Sequence, residues 1–405
     1  MLNKDGQREL AYIVAIDEIR PIPNYDRVEY ARVGGWWVVV KKDQFKVGDP
    51  AIYIEVDSRV PEKEPFMFLE KKHFKIKTQK MCKVLSQGLL MHPNDFDWAT
   101  IYDEYVGEWL ITDSTGSHMQ IGDFVTNMLG IVYAEDVDNK RKAPSADKYK
   151  KMAQRRPDIF KKPWARWMMK RDWGKKIMFF FFGKQKDKRG GWPSWVSKTD
   201  EERCQNMPWL FPGNDEEWIA TEKVDGTSTT FTMKGRGRKQ VCHVCSRNVV
   251  FDTPEKGCYY DTNVYFEMFE KYNIREVLTK IMEDYPEIDF VTIQGETYGA
   301  GIQKRDYGLK NHCFKAFNLI FGCAGNVVRF NPIKMTEILS KYNVPCVDIV
   351  DEHFKIPATC DELLEIATGK STIDGGMREG LVFRSEDGMR SFKAVSNEFL
   401  LKYHQ

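Results

Sequence analysis

Thr221-Glu222-Lys223-Val224-Asp225-Gly226-Thr227 decides how the chain is read. Upstream lies Glu217-Trp218-Ile219-Ala220 and downstream Ser228-Thr229-Thr230-Phe231-Thr232, both rich in the β-branched and aromatic residues that favour strands. A lysine therefore sits at a bend between two strands, followed by Asp-Gly, a pair suited to a tight turn. Taken alone, Lys-x-Asp-Gly reads as an ordinary hairpin carrying a solvated lysine. The competing reading is a nucleophilic lysine held in a pocket beside a carboxylate. That reading needs partners elsewhere in the chain, in the right order.

The 405 residues suffice for two or three domains with a substantial core. There is no run of 18 apolar residues, so no membrane span is expected. The polar start Met1-Leu2-Asn3-Lys4-Asp5-Gly6 is not a signal peptide. Nine scattered cysteines then suit reduced thiols in a soluble intracellular protein. Cys242-x-x-Cys245 has no second pair at zinc-ribbon spacing, and its surroundings alternate like a strand. Charge is uneven. Between Lys140 and Arg189 there are 19 Lys/Arg against 4 Asp/Glu, a local net of +15 in a chain of net +2, which leaves −13 for the rest. Such asymmetry points to a polyanion partner on one face.

Residues 9 to about 115 read as a small β-domain. Tyr12–Ile16, Val28–Val33, Trp36–Val40 and Ala51–Val56 are predicted strands, with breaks at Pro21-Ile22-Pro23-Asn24, Gly34-Gly35 and Lys46-Val47-Gly48-Asp49. Phe74-Lys75-Ile76-Lys77-Thr78 alternates and runs on into Ser86–Leu90. Five strands in about 100 residues suit an OB barrel, a common single-strand binder, although periodicity alone fits an SH3-like barrel equally. Residues 131–197 form a basic, Trp-rich linker or insertion. Its tryptophans could stack on bases or pack on a neighbouring domain. Phe179–Phe182 reads as a buried strand. Lys198–Arg203 resembles a helix start capped by Thr199. Further on, one amphipathic helix is predicted over Val264–Tyr285, stopped by Pro286, and another over Met335–Lys341. Predicted strands cover Val241–Cys245, Phe290–Gln294 (ending at Gly295-Glu296) and Cys313–Phe321. This irregular mixture favours α+β with antiparallel sheets over a βαβ wheel.

Lys223-Val224-Asp225-Gly226 matches the first motif of the covalent nucleotidyltransferases, and the later motifs arrive in that family's order. Ser246-Arg247 lies 24 residues on, followed by Gly295-Glu296, the aromatic Lys315-Ala316-Phe317-Asn318, Glu379-Gly380-Leu381-Val382 and Phe392-Lys393. A lone match would be weak; six in register are not. The resemblance implies that Lys223 is the AMP-bearing nucleophile, with Glu222, Val224, Asp225 and Gly226 completing the nucleotide-binding turn. It implies that Arg247 contacts ribose or phosphate, Phe317 stacks on adenine and Lys393 touches the α-phosphate. Glu379 and Glu296 are implied to hold Mg2+ or Mn2+, or its waters, or the ribose. The chemistry needs an uncharged amine, so the Lys223 pKa is expected to fall through burial and the nearby cations Lys393 and Arg247.

One departure stands out. Many members carry Lys-x-Lys in the fifth motif, and here the first position is Ser391. The lost cation is replaced, by Arg390 or the basic insertion, or the pyrophosphate contact is weaker. The chain ends twelve residues after Lys393, too short for the trailing OB domain of DNA ligases and capping enzymes. The order of OB-like module (1–130), basic insertion (131–197) and transferase domain (198–405), with its Arg203 element, resembles the ATP-dependent RNA ligases that have an N-terminal OB domain. The fold expected is α+β: an OB-like barrel, then an ATP-grasp-like ligase domain of antiparallel sheets with flanking helices. The activity implied is sealing of 3′-OH and 5′-phosphate ends with ATP and Mg2+ or Mn2+, on RNA or a nicked duplex with RNA on the 3′-OH side, by a monomer. A DNA ligase, a GTP-using capping enzyme and a nucleic-acid binder with an inactive transferase core are the alternatives.

Overall fold

The computed structural model describes residues 8–134, 159, 162–182, 192–213, 215–251, 260 and 262–403, with 179–182 described by backbone alone. At the N-terminal end, Ala11–Ala15, Pro50–Ile54 and Leu89–Met91 form one three-stranded sheet, with Pro50–Ile54 in the middle. Glu18–Ile22, Tyr25–Val33 and Trp36–Lys41 form a second, an antiparallel meander. Successive side chains of a strand face opposite ways. Ile52 and Ile54 therefore enter one core with Ile13, Phe66 and Met91, while Ala51 and Tyr53 enter another with Trp36 and Val38. Both faces of Pro50–Ile54 are buried, so this strand organises the module.

Phe74–Thr78 is not a strand. Phe74 and Ile76 are buried as the alternation requires, but His73 and Phe74 have φ of 55° and 56°, which breaks the extended chain. Only Lys75 bridges, to Arg59, before the short hairpin Gln79–Met81 and Val84–Ser86. Phe179–Phe182 is likewise not a strand: it ends the helix Asp172–Phe182, which follows the helix Pro163–Met169. A short apolar run has no period to separate a strand from a buried helix, and the Asp172 start carried the local signal.

The C-terminal half is built on two sheets, antiparallel except at one edge of the first. The first runs in the order Glu202–Arg203, Ser391–Val395, Gly380–Ser385, Glu217–Lys223 and Ile349–Lys355. The second runs Val250–Phe251, Val241–Ser246, Thr227–Lys234, Phe290–Gly299, His312–Cys323 and Asn326–Arg329. The flanks of Lys223 are strands, but they do not pair with each other. Glu217–Lys223 pairs with Gly380–Ser385, whereas Thr227–Lys234 pairs with Phe290–Gly299. The expected hairpin is thus a crossover from one sheet to the other. The pairing of Glu202–Arg203 with Phe392–Lys393 is parallel.

Thr199 does not cap a helix, and Glu202–Arg203 is an edge strand. The acids before it are held by distant cations, described below, and these tertiary ion pairs override the local capping signal. The helix expected over 264–285 is two helices, Val264–Lys271 and Ile274–Asp284, because Asn273 adopts a left-handed conformation (φ 48°). Their apolar faces, with Met268, Phe269, Leu278 and Ile281 fully or nearly fully buried, cover the second sheet. The helix Pro332–Ser340, capped by the Asn331 side chain, joins the same core. Cys360–Ala367 starts with a Thr359/Glu362 capping box and packs on the first sheet against Trp218, Phe383 and Phe392. Cys242 and Cys245 lie on Val241–Ser246 at an odd spacing, so they face opposite sides of the sheet and cannot share a ligand. Among the described residues, no helix is long and apolar enough to cross a membrane.

Candidate nucleotide site

The crossover from Lys223 to Thr227 opens a cleft of about 380 Å3 between the two sheets. Gly226 is required where the chain passes the second sheet, since a Cβ there would stand 2.3 Å from the Thr297 carbonyl oxygen. The turn is pinned from three sides. The Asp225 N–H donates to the Tyr307 hydroxyl at 2.7 Å, and Gln303 Nε2 donates to the Gly226 carbonyl at 2.9 Å. The third anchor is Glu222, which is 2% exposed and accepts from Ser371 Oγ (2.6 Å), Thr372 N–H (2.7 Å) and Thr372 Oγ1 (2.5 Å).

Lys223 Nζ donates to Glu379 Oε2 at 2.7 Å. Glu296 also lines the cleft, as do Arg247, Phe317 and Lys393. Residues separated by up to 171 positions therefore meet around one amine: Glu222, Lys223, Val224, Asp225, Gly226, Arg247, Glu296, Phe317, Glu379 and Lys393 all border the same space. Arg203 lines an adjoining hollow, which shares Asp200, Arg247 and Lys393 with the first and adds Arg8, Lys75 and Lys77 from the N-terminal module. Glu296 is not at a strand end, as the sequence suggested. Its strand continues to Gly299 past an irregularity at Gln294/Gly295, where a Cβ on Gly295 would stand 2.3 Å from the Phe314 ring. Phe317 packs beside Val224, Tyr298, Tyr307 and Val347 at the apolar wall of the cleft.

The electrostatics differ from the sequence expectation in one respect. Burial acts to lower the Lys223 pKa, but Glu379 and Glu296 outweigh it and hold the amine above the ordinary lysine value. The carboxylates nearest the amine dominate the more distant cations. The Lys393 pKa falls instead, because burial outweighs Asp200 while Arg203, Lys223 and Arg247 add to the fall. Burial together with the neighbouring Glu379 raises Asp225 to about 7, and burial raises Glu296 to about 8.

These shifts fix a pH dependence. Folded Glu296 titrates above its unfolded value, so ionising it opposes folding. The cost is absent at low pH, grows between about pH 4.5 and 8, and is complete above 8. Glu296→Gln should therefore match the wild type in stability near pH 4.5 and exceed it above pH 8, by about 1–3 kcal/mol. Thermal melts across that range check it; parallel curves for the two proteins would refute the burial of an ionisable Glu296.

Several site residues were not legible. Asp200 sits among three cations, Arg8 at 3.2 Å, Lys393 at 3.4 Å and Arg247 at 3.6 Å. Burial would raise its pKa, but these cations hold it below the usual carboxylate range. Arg384 is buried and bonded to Glu201 and to Asn318 of the other sheet. It faces Ser391 across neighbouring strands, and Ser391 Oγ donates to Glu201. Arg390 does not replace the missing fifth-motif cation: it pairs with Glu216 and lies over the Trp218 ring. The basic insertion does not line the cleft among the described residues. Only the charge of Arg384 and the acids of 200–202 were visible in sequence, with nothing to join them.

The carboxylates do not form a metal cage, since no group of three or more His, Cys, Asp or Glu among the described residues is placed to hold an ion. Mg2+ commonly takes one or two carboxylates and completes its shell with phosphate oxygens and water. Glu379 and Glu296 beside cations fit that role. Arg203 Nη1 is buried without a hydrogen-bond partner, an orphan donor suited to an anion.

A lysine at a crossover between two antiparallel sheets, in a cleft walled by acids and cations and preceded by a β-module, defines a nucleotidyltransferase of the ligase class. An RNA ligase family model matches residues 216–404, and an OB-fold domain model matches residues 10–93. The chain thus joins an OB-fold domain at its N-terminal end to an RNA ligase domain in its C-terminal part. Among solved structures, it is similar to a Naegleria gruberi RNA ligase with PPi (25% identity, TM-score 0.66), over 98% of this chain and 99% of that one. Two substituted variants of that ligase match comparably. The one with ATP and Mn has 26% identity and a TM-score of 0.67, and the one with AMP and Mn has 26% and 0.66, each over 98% of this chain and 99% of the other. No curated protein sequence matches the chain.

Proposed function

We propose that the protein is an ATP-dependent ligase that joins a 3′-OH to a 5′-phosphate through a lysyl-AMP intermediate, at nicks in duplexes with RNA on the 3′-OH side. The observation that carries this reading is the Lys223 amine, 2.7 Å from Glu379 in a cleft also bordered by Glu296, Arg247, Lys393 and Phe317. The solved structures of the similar Naegleria ligase with ATP and Mn, and with AMP and Mn, support the choice of nucleotide.

Glu379 and Glu296, with the nucleotide phosphates, would hold Mg2+ or Mn2+, which supplies neutralisation of phosphate charge. With their charge engaged in that role, Glu379 and Glu296 would hold the Lys223 proton less tightly, burial would be left as the main influence on the amine, and its proton would pass to water at the open side of the cleft. The Nζ lone pair then forms a bond to the α-phosphorus, and the bond from that phosphorus to pyrophosphate breaks. Phe317 stacks on the adenine while Glu222 braces the turn. Lys393, Arg247 and Arg203 take the negative charge of the phosphates. An oxygen of the RNA 5′-phosphate next displaces Lys223 from phosphorus, leaving AMP on the end. Attack by the 3′-OH expels AMP and forms the phosphodiester.

The test is sealing of a nicked duplex, with the two nucleotides at the 3′-OH end either ribose or deoxyribose, after loading with labelled ATP or labelled GTP. The expected result is an adduct with ATP alone and sealing at least about tenfold faster with a ribose 3′-OH, a difference of about 1.4 kcal/mol in the barrier. An adduct formed with GTP, or faster sealing of the all-DNA nick, would move the protein to one of the other transferase classes.

A further inference from the structure

The helices Pro163–Met169 and Asp172–Phe182 are joined by Lys170-Arg171 and pack against each other. Gly174 permits the close approach, since a Cβ there would stand 2.2 Å from the Met168 carbonyl oxygen. Ala165 and Met178 are buried, but Trp164, Trp167 and Trp173 are 49%, 51% and 52% exposed. From sequence, these indoles could equally have packed on a neighbouring domain. Half-open rings disfavour that use and leave large apolar surface in water, which needs a reason. Trp167 and Trp173 meet edge to face at 6.0 Å, and the Arg171 guanidinium covers the Trp167 ring at 3.8 Å.

Over residues 162–178 there are six Lys/Arg and one Asp. Lys175 pairs with Asp172 at 2.9 Å. Lys162, Arg166, Lys170 and Lys176 are exposed and make no ion pair to a described residue. They lie within the segment of local net charge +15, where like charges repel until a polyanion arrives. The arrangement interleaves cations with half-exposed indoles, the combination that holds a nucleic-acid strand by its phosphates and stacks its unpaired bases.

We propose that this helical hairpin is a docking surface for the RNA substrate, separate from the nucleotide cleft. Arg166, Lys170 and Lys176 contact phosphates, and Trp167 and Trp173 stack on unpaired bases of a single-stranded stretch outside the nicked duplex. The proposal rests on the ligase reading for the identity of the polyanion, and it names the part of the chain that grips RNA away from Lys223.

The test uses the full-length protein with two sets of substitutions: Arg166→Gln with Lys170→Gln and Lys176→Gln, and separately Trp167→Ala with Trp173→Ala. Each is assayed for the AMP adduct with ATP alone, and for binding to a single-stranded RNA and a nicked duplex by fluorescence anisotropy. Co-sedimentation with phosphatidylserine-containing vesicles is measured in parallel. Normal adduct formation shows that a variant is folded. RNA affinity of the charge variant should fall roughly tenfold at about 50 mM salt, with the slope of log K against log salt shallower by about 2, the value for three single-strand phosphate contacts. The Trp variant should lose roughly tenfold or more with little change in slope. Unchanged RNA affinity and slope in both variants, beside a normal adduct, overturn the proposal and leave the ligase reading intact. Loss of vesicle binding with unchanged RNA affinity overturns it in favour of a membrane surface. A wild-type protein that forms no adduct sinks the ligase reading, while a drop in RNA affinity on substitution would still uphold the hairpin as an RNA site.

Discussion

Lys223→Ala should abolish the denaturation-resistant AMP adduct and reduce strand sealing by at least about 10^4-fold. The size follows from covalent catalysis: without the nucleophile, the divided pathway is lost rather than slowed. The substitution should also cost some stability. The amine is held by Glu379 at 2.7 Å with a quarter of its side chain exposed, and it sits among carboxylates whose mutual repulsion it offsets only in part. Lys223→Arg keeps the charge and the Glu379 pairing, yet a guanidinium does not lose its proton, so it should not restore the adduct. Pre-adenylylated RNA separates the steps. If Lys223→Ala still seals a 5′-adenylylated nick, the residue acts only in forming and transferring AMP. An adduct of wild-type intensity on Lys223→Ala would remove the proposed mechanism altogether.

Arg384→Ala should destabilise the folded protein by about 3–5 kcal/mol, the cost of breaking a buried ion pair from one side. Arg384 lies on Gly380–Ser385 of the first sheet and donates to Asn318 on His312–Cys323 of the second. Asn318 in turn donates to Gln294 at 2.9 Å, and Gln294 donates to the Ser197 carbonyl at 2.8 Å. One guanidinium thus ties both walls of the cleft to the segment that carries Glu201. Its removal leaves the Glu201 carboxylate without its cation and Asn318 without its donor. The melting temperature should fall by roughly 10 °C. Arg384→Lys retains charge but cannot serve Glu201 and Asn318 together with a planar fork, so it should fall between the two. A decrease under about 2 °C for Arg384→Ala would show that the sheets are held by apolar packing alone.

How much of this was readable in advance depended on the kind of signal. The strands flanking Lys223 and the N-terminal strands carry their pattern locally, in β-branched residues and turn dipeptides, whereas the helix Cys360–Ala367 was not read from the sequence although Thr359 and Glu362 offered a capping box. Phe179–Phe182 had no period and resolved to a helix. Thr199–Arg203 carried a helix-start pattern that lost to ion pairs with Arg8, Arg247, Arg384 and Lys393. Asn273 divided a helix whose amphipathic pattern ran straight through it.

The order of the motifs from Lys223 to Lys393 was set by residue identity at given positions, and so it could be read from the chain without coordinates. Sequence did not reveal that the strands on either side of Lys223 belong to different sheets, nor that the amine carries a raised pKa between two carboxylates. Both depend on which distant segments lie within a few ångströms, and Coulomb attraction and close packing act through space whatever the separation along the chain. Tertiary structure alone therefore decided which groups stand against the lysine, and with them its charge in the free protein.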